Sequence, residues 1–185
     1  MKKNETVCIK DAFFFVLNRP KGMLNVLWLL LPIIGWFILG GYMVSIVKGF
    51  TEGKFKELPK RASDAFTLGL VMFLKAIPFW IVYGLILWGF EQIGWTGTVL
   101  SVLIGMLIVP VLSVNFMKKQ TVGSYFELQH VGAVFSHFGE YLIAVFKSIV
   151  LTLIWVVLIL ALVGIPGLTF TKHIFIADFY RKYVK

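Results

Sequence analysis

Few residues in this chain could do chemistry. Glu127-x-x-His130 has the spacing of di-iron helices, and His137-x-x-Glu140 follows on the same stretch. On one helix these four side chains fall within about 140° of arc. A di-iron centre needs further carboxylates from facing helices. The chain has nine Asp+Glu in all, mostly in loops, so no metal is expected and the four residues read as the wet side of an interfacial helix. Lys172, His173 and Asp178 form a second group, within an apolar run. Ionisable residues at membrane depth suggest a proton or anion path; the plainer reading is a tilted interfacial helix with Lys172 snorkelling. Lys75 and Lys147 occupy comparable places in two long apolar runs. They could contact anionic lipid headgroups or simply snorkel. Gly41, Ser45 and Gly49 recur every four residues, a stripe that lets another helix, of this chain or of a copy, pack closely.

What is missing narrows the classes. The sequence has no GxxxxGK[ST] loop, no Gly-x-Ser-x-Gly elbow and no His-Glu-x-x-His. With so few carboxylates, an acid–base pair has little to draw on. No catalytic residue and no cofactor is expected, and the protein is read as a non-enzyme. Cys8 is the single cysteine, so an internal disulfide is excluded. It reads as an inert thiol, with palmitoylation beside a membrane helix as the alternative.

The elements that must position these residues follow from composition. Of 185 residues, 59% are hydrophobic and only 15% charged, and the mean hydropathy is +0.89. Soluble domains sit near 45–50% apolar and 25% charged, so an ordinary soluble enzyme, a disordered chain and a nucleic-acid-binding module are excluded. Apolar runs cover 23–47, 67–90, 94–117 and 141–163, with a weaker fifth at 164–180. A helix needs about 20 residues to cross ~30 Å of hydrocarbon; the first four runs suffice and the fifth is marginal.

The net charge of +9 belongs with these runs, because 15 of the 18 Lys+Arg lie before residue 22, in 48–61, at 118–119 or after 180. The connections 91–97 and 164–167 hold none. Putting every basic stretch in the cytoplasm makes two hairpins, from runs two and three and from runs four and five. The first run must then begin and end on the same side, as a re-entrant hairpin bent at Pro32 and Gly35; a single crossing is the alternative. Met1-Lys2-Lys3 resembles a signal n-region, but the apolar stretch behind it is too short for one, so the N-terminus is read as retained. Amphipathic segments precede the hairpins: Leu128, Val131, Phe135, Phe138 and Leu142 share one helix face, as do Ala62, Phe66, Gly69 and Phe73. Such segments either lie in the interface or extend the next span. At an offset of 70, Lys48, Thr51, Gly53, Glu57, Leu58 and Gly69 match Lys118, Thr121, Gly123, Glu127, Leu128 and Gly139. This weak internal repeat suggests related units at about 9–50, 62–119 and 128–182 within one membrane domain covering 1–185.

Asp11-Ala12-Phe13, Leu31-Pro32-Ile33-Ile34-Gly35-Trp36, Gly40-Gly41-Tyr42 and Leu58-Pro59 resemble the pattern of a prokaryotic multi-pass membrane family of unknown function, number four thousand and thirteen among such domains. Lys60 and Arg61 stand where that family usually has an aromatic residue. The resemblance implies a small multi-pass membrane protein and no agreed activity.

The fold expected is all-α and membrane-embedded, with about four full transmembrane helices, a Pro-bent N-terminal hairpin and amphipathic interfacial helices, both termini cytoplasmic. The function expected is a non-catalytic accessory, structural or lipid-interacting component of the cell membrane; the alternative is a small transporter or oligomeric pore. Expected partners are the lipid bilayer, its anionic headgroups and another membrane protein or a second copy, with no nucleic acid.

Overall fold

A computed structural model describes residues 6–18, 24, 27–28, 31–54, 61–159 and 164–184. The described residues form helices, with no strand among them. Helix α1 is Ile9–Leu17, α2 Pro32–Thr51, α3 Ala62–Glu91, α4 Trp95–Leu107 and α5 Val109–Lys119. Two 3-10 turns, Val122–Phe126 and Leu128–His130, lead to α6 (Val131–Ser136) and α7 (Phe138–Leu158), then α8 (Gly164–Thr171) and α9 (Ile174–Tyr183). Four helices are long and apolar enough to cross a membrane: Ile33–Thr51, Ala62–Glu91, Trp95–Lys119 and Phe138–Leu158.

The number of spans is the expected four, but the runs supplying them differ. The first run provides one. Pro32 stands at the first turn of α2, where its missing N–H leaves no helical bond unmade. It therefore opens a continuous 20-residue helix, with Gly35 buried in the first turn, rather than bending one. The arm that would complete a hairpin falls in 19–30, mostly outside the described residues, as do Lys2, Lys3, Arg19, Lys21, Lys56, Lys60 and Lys185. The fifth run supplies no single long helix; it breaks at Lys172–His173 into α8 and α9, of 8 and 10 residues.

Helix α3 runs for 30 residues through Pro78, about 45 Å at 1.5 Å per residue. The stretch from Ala62 to Phe73 is thus the beginning of a span, not a separate interfacial helix. The next turn is tight: Gly94 has φ +72°, and a Cβ on Gly97 would collide with the Phe90 carbonyl. Helices α4 and α5 meet at Ile108, with Pro110 in the first turn of α5.

The interior belongs to the less apolar helices. Every residue from Val111 to Met117 on α5 and from Ile174 to Tyr180 on α9 is buried. The outer helices expose large apolar side chains instead, including Trp80, Leu85 and Trp88 on α3, Val102 on α4, and Phe146 and Val157 on α7. Only 17% of the most apolar stretch of α3 is buried in the chain. A soluble fold would reverse this arrangement; outward apolar side chains suit helices that meet hydrocarbon.

Candidate functional site

Two clusters of polar residues lie inside the described chain, and α9 contributes to both. The first begins at Asn115, fully buried in the last turns of α5. Its Nδ2 donates to the Ser124 carbonyl at 2.7 Å and to Glu127 Oε2 at 3.0 Å, and its Oδ1 accepts from the Tyr180 hydroxyl at 2.6 Å. Glu127 Oε2 also accepts from Lys119 and lies 3.0 Å from His130 Nε2. The Lys118 ammonium stands 4.8 Å from the centre of the Tyr180 ring, close enough for a cation–π attraction. The Lys119 hydrogen bond first, then those of Asn115 and His130 with the Lys119 charge, hold the Glu127 carboxyl down to about 2. Burial, reinforced by the Glu127 charge, pushes the Tyr180 hydroxyl up to about 12. At neutral pH the cluster therefore holds an ionised carboxylate and a protonated phenol, and every hydrogen bond above has its donor and its acceptor.

The second cluster joins the two ends of the described chain. Asp178, 4% exposed, accepts from the Val7 N–H at 3.1 Å. It pairs with Arg181 one turn on and with Lys182 at 3.4 Å. The Lys147 ammonium donates to the Val7 carbonyl at 3.3 Å, so the backbone N–H and C=O of Val7 are both satisfied. Beside it Asp11 accepts from the Cys8 thiol at 3.0 Å and from the Cys8 N–H at 3.4 Å, which starts α1 in the manner of a capping box.

Set against the expected residues, these contacts separate what spacing had grouped. Asp178 is taken by Val7, Arg181 and Lys182, while Lys172 is exposed and His173 stands at the start of α9. Burial and the neighbouring Lys172 charge hold His173 down to about 4, so it is neutral at pH 7. Lys75 donates to the Gln120 carbonyl at 2.8 Å. Lys75 and Lys147 are both half-buried, and each ties a backbone carbonyl. Gly41 packs within this chain: a Cβ there would strike the Ala65 carbonyl, and one on Gly69 would strike the Phe37 carbonyl. Helices α2 and α3 thus cross antiparallel at backbone contact. Gly49 faces the Lys54 carbonyl, and Ser45 bonds to Gly41 of its own helix at 3.0 Å.

One expectation is overturned. Glu127, His130, His137 and Glu140 are not one wet face, because 128–142 is not one helix. The chain turns at Glu127 (ψ 75°) and again at His137 (φ −126°, ψ 47°). His130 is 7% exposed, while Leu128 at 64% and Phe135 at 61% point outward. No group of three His, Cys, Asp or Glu gathers closely enough to hold a metal among the described residues.

Sequence reasoning passed over Asn115, Tyr180, Lys119 and Arg181. Asn115 left a signal: it is the most polar side chain of the third apolar run, and a polar residue at such a position asks for a partner.

Apart from the clusters, an apolar groove of about 420 Å³ lies between α2 and α3, lined by Trp36, Gly40, Phe73, Trp80, Phe116 and Tyr125 among others.

No curated protein and no solved structure matches the chain. A family described as "protein of unknown function (DUF4013)" matches residues 24–164. The chain belongs to that family, DUF4013.

Proposed function

We propose that the protein is a non-catalytic, multi-pass component of the cell membrane that serves as an accessory or structural subunit and engages lipid. One observation supports this most: within each of the two clusters the polar groups bond to one another. Asn115, Glu127, His130, Lys119 and Tyr180 close one cluster, and Asp178, Arg181, Lys182 and Val7 close the other. A catalytic centre keeps a nucleophile, base or open ligand position aimed at a cavity. In this reading the surface does the work. The basic residues Lys48, Lys54, Arg61 and Lys118 flank spans and meet anionic headgroups on the cytoplasmic side.

The alternative, a small transporter or oligomeric pore, draws on the interrupted pairs α4/α5 and α8/α9, since transporters build sites at broken helices. Gentle extraction from native membranes and mass analysis of the intact assembly separate the two. A stoichiometric foreign partner supports the accessory reading. A homo-oligomer without one, with flux altered by Asp178→Asn, supports the transporter and sinks the first proposal.

A further inference from the structure

We infer that the groove between α2 and α3 is a binding slot for one hydrocarbon chain of a bilayer lipid. This rests on the lipid-engaging reading above and gives it a place. Both walls belong to helices long and apolar enough to span the membrane, so the medium at the mouth of the groove is hydrocarbon. Trp36, 68% exposed, and Trp80, 48% exposed, form the rim, and Phe73 stands with them. The inner end is closed by Phe116 and Tyr125, whose rings stack with centroids 4.1 Å apart. At Gly40 a Cβ would meet nothing within 4 Å, although the neighbouring Gly41 and Gly69 have no room at all. The slot is thus an opening held beside a rigid crossing, not a loose seam along it.

Size selects the occupant. The volume is about 420 Å³. A helix about 10 Å across and 5.4 Å per turn would fit only about one turn into that space, so a second helix cannot be seated there. An apolar cavity of ~150 Å³ holds a benzene ring, so this volume suits a flexible chain on the order of fifteen carbons. The lining supplies aromatic and aliphatic surface almost throughout, which recognises methylene groups by contact and offers a headgroup nothing. The lipid is therefore held by its tail.

The test fills the slot. Gly40→Leu projects a side chain into it, and Gly84→Leu adds the same group on α3, where Gly84 also faces open space. The full chain is purified in mild detergent, and retained phospholipid is measured by intact mass. Quenching of tryptophan fluorescence by phosphatidylglycerol brominated on its acyl chains is then read with and without Trp36→Phe. A leucine displaces about two methylenes of contact, so retention in Gly40→Leu falls roughly tenfold relative to Gly84→Leu. Quenching falls with it, and most of the lost signal is already absent in Trp36→Phe. Should the leucine fold poorly, Trp80→Ala, which removes part of the rim, lowers retention instead. Equal retention in Gly40→Leu and Gly84→Leu overturns the slot, as does a change of oligomeric state in Gly40→Leu without loss of lipid. Neither result touches the accessory reading, which stands or falls on the foreign partner.

Discussion

Replacing Asn115 tests whether the buried cluster is one cooperative unit. Asn115→Leu keeps the branched heavy-atom outline in a larger side chain but removes both donated bonds and the acceptor for Tyr180. Asn115 and Ser124 are 0% exposed and Tyr180 is 1% exposed, so the Tyr180 hydroxyl and the Ser124 carbonyl lose their Asn115 partner away from water. A buried polar group left unsatisfied costs about 1–3 kcal/mol, so two of them make a loss of about 3–4 kcal/mol. Tyr180→Phe orphans only Asn115 Oδ1 and costs about 1–2 kcal/mol. The double variant has no orphan between positions 115 and 180, and its cost falls below the sum of the singles by about 1–2 kcal/mol. Thermal unfolding in detergent reads this directly: for a chain of this size each kcal/mol moves Tm by about 2–4 °C. Asn115→Leu therefore lowers Tm by about 6–16 °C, and adding Tyr180→Phe lowers it little further. Strict additivity, or an Asn115→Leu variant as stable as the parent, would show that the cluster holds nothing together.

Other consequences can be checked in the same preparation. Gly41→Ala and Gly69→Ala place a Cβ against backbone oxygen that cannot yield. Both lose most of the monodisperse material on size exclusion, whereas Gly40→Ala behaves as the parent. Glu127 is held at about 2, below its usual 4.5. A depressed carboxylate contributes stability that is fully present above its unfolded value and lost as pH falls through the folded one. Tm therefore drops between about pH 4.5 and pH 2, and Glu127→Gln flattens that part of the profile. In a background where Cys8 is serine, cysteines placed at 128 and 135 are shielded from a water-soluble maleimide in intact membranes and react after solubilisation. One placed at Gln129 reacts in both.

Much of the architecture is readable from hydropathy, since a span is a property of composition and length. Four long helices follow from that alone. Where helices stop is decided by packing. The pattern through Leu128, Val131, Phe135, Phe138 and Leu142 fits one amphipathic helix, yet the turns at Glu127 and His137 divide it. The Glu-x-x-His spacing brings His130 to within 3.0 Å of Glu127, but that the ring is buried by the contact is not written in the spacing. Reading the stripe as one interfacial face assumed a single helix; with the turns in place, Val131 goes inside with His130 while Leu128 and Phe135 stay exposed. The second cluster was beyond reach for a different reason. Val7 and Asp178 are 171 positions apart, and the Val7 N–H is common to every residue type except proline, so nothing in the side chain announces the bond.

The place of α9 in the chain has a consequence for biogenesis. The ribosome makes it after every other helix described, yet it carries Tyr180 to Asn115 and Asp178 to Val7. Until α9 emerges, an insertion intermediate holds the Asn115 carbonyl oxygen and the Val7 N–H without the partners that α9 supplies. Such a species is an open clamp with a polar throat, the form that membrane insertion factors and quality-control proteases meet. Arrival of α9 shuts it in one step, joining Val7 to a residue made 171 positions later.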